Sequence, residues 1–221
     1  MLTKTLSTVL AATAFTWASG TATADLVQID IFGEVEFNQI NSGVFAGVNT
    51  GDAAHYSFQV DTDNFVDSGS FPTRGYEVIG SSTSITIGSA VAGLADPYSA
   101  GLTPYFILRN DDPAVDGFFL GESPDGFPNG IELDAPGGFG NFRAAFNVSY
   151  NNDPLSSLDI ADAAGSYDFT GLTVFGMTID DGPFNAMGLI FSHMEISVVP
   201  APGALALLLP LAFGAPRRRR D

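Results

Sequence analysis

The sequence predicts an all-β body, an antiparallel β-sandwich of jelly-roll type, and three observations lead there. Short apolar runs alternate with polar residues at a period of two, as half-buried strands do. Clusters of Gly, Pro, Asn and Asp separate those runs at short intervals. One stretch alone, residues 154–164, groups its apolar residues loosely enough to pass for a helix. Strand after strand without intervening helices favours antiparallel layers over a parallel α/β sheet.

The first body element is the clearest, because Ile29, Ile31, Val35 and Phe37 alternate with Gln28, Asp30, Glu34 and Glu36. Tyr56, Phe58 and Val60 repeat the pattern with Ser57 and Gln59 between them, and Ile85 and Ile87 flank Thr86 in a Ser/Thr-rich run. Further strands are predicted over residues 104–109, 117–121, 139–150, 171–180 and 187–199. Turn chemistry fills the gaps: Gly121 to Gly126 contains Pro124 and Asp125, Pro136 is followed by Gly137 and Gly138, and Asp180 to Pro183 contains Gly182. No repeat of fixed period emerges. Asn110-Asp111-Asp112-Pro113 and Asn151-Asn152-Asp153-Pro154 are nonetheless similar short loops, in which Asn and Asp side chains bond the backbone locally.

The chain has 25 Asp and Glu residues against eight Lys and Arg, and no cysteine. The basic residues concentrate at the two ends. Between Asp25 and Pro200 only Arg74, Arg109 and Arg143 remain against 24 acids, a formal charge of −21. Such a surface repels nucleic acid and anionic headgroups and favours cations or plain solubility. The missing cysteines exclude thiol catalysis, disulfides and cysteine-bound zinc. The body must therefore be held by its core, and a chain near 150 residues buries roughly 70% of its unfolded surface.

The flanks read as targeting. Lys4, the apolar stretch from Val9 to Ala18, and Ala22-Thr23-Ala24 match the three regions of a secretory signal, with cleavage by signal peptidase after Ala24. At the other end, Val198 to Pro216 has no charge and is followed by Arg217, Arg218, Arg219 and Arg220, a cluster that stays on the cytoplasmic side. The uninterrupted apolar core, Ala204 to Ala215, is shorter than the roughly 20 residues of a spanning helix and contains Pro210. This implies transient inner-membrane association.

Val199-Pro200-Ala201-Pro202, the apolar segment and the arginine block together resemble a PEP-CTERM sorting signal, with Ala201 where the family carries Glu. The resemblance implies processing by an exosortase, a membrane transpeptidase, in Gram-negative bacteria that make exopolysaccharide. It also implies a destination at the cell surface or in the extracellular matrix. The body resembles the Gly- and Asp-rich all-β ectodomains that precede such tails. The expected organisation is a signal peptide over residues 1–24, one β-sandwich domain over 25–198 and the sorting signal over 199–221.

Calcium is the cofactor that the composition suits, since this hard cation takes several oxygen ligands. Three clusters qualify: Asp61, Asp63, Asn64 and Asp67; Asp111, Asp112 and Asp116; and Asp180 with Asp181. The second is preferred, because Pro113 stiffens a loop that gathers three carboxylates in six residues. None matches the EF-hand template, where Val66 and Pro72 would stand in place of Gly and Glu. Two histidines, His55 and His193, and the lack of a G-x-S-x-G elbow give no hydrolase motif. Tyr76, Tyr98 and Tyr105, with Phe118, Phe119 or Phe127, would form a sugar-stacking platform or simply core, and the only tryptophan, Trp17, lies in the signal. The three body arginines should pair with carboxylates through bidentate bonds, or else recognise anions or sugar acids. The expectation is a non-enzymatic surface or matrix module, with calcium-dependent exopolysaccharide binding as the alternative and an extracellular hydrolase third.

Overall fold

The structure, a computed structural model, describes residues 25–200 apart from Pro113 and Pro183. The signal peptide with Ala22 and Ala24, and the sorting residues Ala201, Pro202 and Arg217 to Arg220, lie outside the described residues. Twelve strands form the body: β1 (Leu26–Asn38), β2 (Ala53–Asp67), β3 (Thr73–Val78), β4 (Ser84–Ile87), β5 (Ala90–Ala92), β6 (Tyr105–Arg109), β7 (Asp116–Gly121), β8 (Ile131–Pro136), β9 (Asn141–Tyr150), β10 (Gly165–Tyr167), β11 (Leu172–Asp180) and β12 (Ala186–Val199). A single 3-10 turn, Gly80–Ser82, precedes β4. Among the described residues no helix is long and apolar enough to cross a membrane.

The pairing is antiparallel throughout, as predicted, but the expected two-layer sandwich is replaced by a closed barrel. Its strands run in the order β1-β12-β11-β9-β7-β6-β3-β2, and β2 pairs back onto β1 from Leu26 opposite Asp61 to Glu34 opposite Ala53. Long strands make the closure possible by changing partner along their length. β2 pairs β4 through Ala54–Ser57 and β3 through Val60 and Phe65–Asp67. β9 likewise meets β8 near Asn141 and β7 near Tyr150, and β12 passes from β11 to β10. The remaining short strands lie outside the closed wall.

Side chains fill the interior, as expected of a small barrel. Ile29, Ile31, Phe58, Phe106, Phe118, Phe146 and Phe191 are fully buried in one continuous core. Phe37 was expected on that face but is 43% exposed. Glu36 is an extra residue between Val35 and Phe37 in the pairing with β12 and changes the phase of β1, so Phe37 packs across Gly188 on the outside.

Strands β6 and β7 are buried on both faces. Phe106, Leu108, Phe118 and Leu120 point into the barrel, while Ile107 and Phe119 are buried apart from that core. The connection between β7 and β8 folds back toward β3, where Thr73 Oγ1 donates to the Pro124 carbonyl at 2.7 Å. Residues 154–164 form turns rather than a helix. Leu155, Ile160 and Ala163 are buried in the core, and the Tyr76 hydroxyl holds the segment by donating to the Leu158 carbonyl (2.8 Å) and accepting from the Ile160 N–H (3.1 Å). Local bonds from Ser157 and Asp159 to nearby N–H groups favour such turns over a helix.

Candidate functional site

One end of the barrel gathers most of the chemistry-bearing residues. Leu26 lies opposite Val199, Thr73 opposite Arg109, and Asp116 opposite Tyr150. The start of β1, the end of β12 and the β2–β3, β6–β7 and β9–β10 connections therefore share this end.

Here the two similar Asn/Asp-Pro loops meet. One carboxylate oxygen from each of Asp111, Asp116 and Asp153 lies within 4.8 Å of the other two. Asp116 is 1% exposed, and its two oxygens accept from the Asp111 N–H at 2.9 Å and the Leu155 N–H at 2.7 Å. Asp116 thus ties both loops to the barrel mouth. Asp111 and Asp153 have φ of 57° and 51°, a left-handed backbone that Asp adopts more readily than most residues. Two of the three sequence-predicted ligands are brought together and the third is not. Asp112 faces Arg109, 3.5 Å from its Nε, and Asp153 takes its place. Sequence distance concealed Asp153, although the likeness of its loop to residues 110–113 was a signal.

The donors in this corner suit a hard cation. All are oxygens, and the side-chain oxygen of Asn110, one residue before Asp111, is buried without a hydrogen-bond partner. Asp111, Asp116 and Asp153 would hold a calcium ion, with backbone carbonyls or water completing its six to eight ligands. Burial pushes the Tyr167 hydroxyl up to about 12, with the Asp116 charge adding to the effect. The Tyr150 hydroxyl is buried without a partner beside a cleft of about 520 Å³ that Asn152, Tyr167 and Asp168 also line.

In the other two acidic clusters Asn64, Asp67 and Asp181 are engaged in local bonds. Asp61, Asp63, Asn64 and Asp67 lie on β2, where Asn64 bonds Glu77 and Asp67 bonds Arg74. Asp181 accepts from the Phe139 N–H and from Asn185. The two histidines flank one residue, with Phe32 stacked between His55 and His193 at 4.5 Å from each. Asp30 lies 2.8 Å from His55 Nε2, and Ser192 Oγ lies 3.1 Å from His193 Nδ1. The aromatic platform does not assemble. Tyr76 and Phe118 are core residues, Tyr98 bonds Glu122, and Phe127 stands 89% exposed.

A second feature lies on the outer face of β6 and β7. Phe71, Arg109, Asp112, Phe119, Asp125 and Phe127 line a cleft of about 210 Å³ beneath the β7–β8 connection. Comparison with protein-family models, with curated proteins and with solved structures finds no match for this chain.

Proposed function

We infer that the chain is an exported cell-surface or extracellular-matrix protein, sorted by an exosortase, whose barrel is a non-enzymatic interaction module. The observation that carries this reading is where the last described strand ends. Val199, the first residue of the sorting motif, is also the last residue of β12 and lies opposite Leu26. Processing beyond Pro200 would leave every strand pairing among the described residues intact. Cleavage after Ala24 likewise falls just before β1 begins at Leu26. The acidic, cysteine-free body suits an exported protein held by its core alone.

The test is the intact mass of the protein from its own host, in cells with and without the sorting enzyme. The expected mass begins at Asp25 and lacks the tail after about Pro202, with the tail retained when the enzyme is missing. A tail present in both would overturn the sorting step and make the protein a barrel tethered to the inner membrane.

The oxygen-lined corner of Asp111, Asp116 and Asp153 favours a second reading, in which calcium supports carbohydrate binding by the same module. Calcium would bridge the two loops that form this end of the barrel. Retention on bacterial exopolysaccharide that is lost in chelator would support it, and retention unchanged by chelator would exclude it.

A further inference from the structure

Each of the three body arginines meets a different fate. Arg74 makes a two-pronged pair with Asp67, Nε to Oδ1 at 2.6 Å and Nη2 to Oδ2 at 3.1 Å. Arg143 donates to the carbonyls of Asn129 (3.1 Å) and Gly130 (2.7 Å), and lies 3.0 Å from Glu122. The guanidinium of Arg109 makes no hydrogen bond to the described residues. Its Nε is buried without an acceptor, and Asp112, its nearest carboxylate at 3.5 Å, is beyond the usual N–H···O range of about 2.7–3.2 Å. In a body with 24 acids, acceptors are abundant, so an arginine left with a buried empty donor is an exception.

We propose that the cleft around Arg109 binds a carboxylate-bearing sugar, a uronic acid unit of an extracellular polysaccharide. The inference rests on the module reading above and is independent of calcium. Arg109 presents the planar fork that matches a carboxylate. Phe71 and Phe127, 50% and 89% exposed, line the cleft as apolar surface for the C–H side of a sugar, and Phe119 backs the guanidinium at 5.4 Å. Asp112 and Asp125 on the rim accept hydroxyl protons, and the same two charges oppose a phosphate or sulfate dianion. A neutral sugar would leave the guanidinium without an anionic ligand, and a bare carboxylate would leave the phenyl rings unused.

Size supports the assignment. At about 210 Å³ the cleft is below the roughly 300–1,000 Å³ of pockets for drug-sized ligands, which suits a single ring. On the far side of Phe127 a second cleft of about 380 Å³, lined by Leu102, Glu122 and Asn129, continues the path. A polymer would cross Phe127 with one unit on either side.

The test is calorimetric titration of the full chain with galacturonate, galactose, acetate and inorganic sulfate. Galacturonate is expected to bind saturably, and galactose and acetate each at least about 10-fold more weakly. Arg109→Gln should weaken galacturonate by about 10- to 100-fold, the range for loss of a charge-assisted hydrogen bond, with an unchanged melting temperature. Should that variant unfold, Phe127→Ala, at a fully accessible position, carries the test and should also lose affinity. Equal affinity for galactose or sulfate, wild-type binding by Arg109→Gln with its fold intact, or no saturable galacturonate binding would each overturn the proposal. Polysaccharide retention that survives Arg109→Gln would overturn this cleft while leaving the module reading in place.

Discussion

Glu132 sits on β8 beside Ser99, Asn141 and Arg143, and these neighbours favour its charged form. The Ser99 hydroxyl and the Asn141 amide, the latter at 2.8 Å, donate to its carboxylate, and the Arg143 charge adds to their effect. Together they hold the group below its ordinary value of 4.5. Arg74 does the same for Asp67. A carboxyl whose folded pKa is depressed stabilises the protein above its unfolded pKa, and this contribution fades as pH falls through the folded value. Asp180 acts in the opposite sense, since burial raises its pKa and the stability linked to its proton is lost as pH rises. Melting curves from pH 7 to pH 3 should therefore show Glu132→Gln less stable than wild type at neutral pH, with the difference narrowing below about pH 4.5. A constant difference would mean that the Glu132 charge is not involved. Sequence reasoning foresaw arginines in bidentate pairs with carboxylates; Arg74 makes one with Asp67, while Arg143 meets Glu122 through a single nitrogen and gives its other bonds to backbone carbonyls. Arg109 faces Asp112 at 3.5 Å without a hydrogen bond, and local sequence contains no sign of that last fraction of an ångström.

At the scale of elements, alternation located most of the strands, because one face of each meets the core and the other meets solvent. It failed where that premise fails. β6 and β7 are buried on both faces by the β7–β8 connection, and β1 changes phase at Glu36. Residues 154–164 misled for another reason. Leu155 and Ile160 are buried because the segment packs into the barrel core, a tertiary demand that mimics loose helical spacing. The hydroxyl of Tyr76, a residue itself 1% exposed, satisfies one carbonyl and one N–H of that segment. Tyr76→Phe would release both groups and leave the buried Ile160 N–H unpaired, and a buried unpaired polar group costs about 1–3 kcal/mol. Chemical denaturation should show a loss in that range, accompanied by faster amide exchange at Ile160. An unchanged midpoint would mean that the segment is held by its apolar contacts alone.

Closure belongs to the whole molecule, and no single strand announces it. A sandwich and a flattened barrel share the same alternation, and the difference lies in β1 having β12 on one side and β2 on the other. The pairing of β7 with β9, which sets Asp116 opposite Tyr150, brings Asp153 to Asp111 and Asp116, so the full carboxylate corner could not be read from the chain. The corner and the overall charge of −21 separate in one experiment, because they respond differently to ions. Sodium chloride screens self-repulsion over a Debye length of about 8 Å at 0.15 M and should raise Tm without reference to any site. Calcium that binds only the folded state adds a linked term of about 2.7 kcal/mol at 100 times its Kd. For a body of this size that term corresponds to roughly 5–10 °C beyond sodium chloride at equal ionic strength. Asp111→Asn and Asp153→Asn should remove the excess and keep the sodium response. Equal shifts with the two salts in the wild type would make the corner a loop staple held by Asp116, with no ion in it.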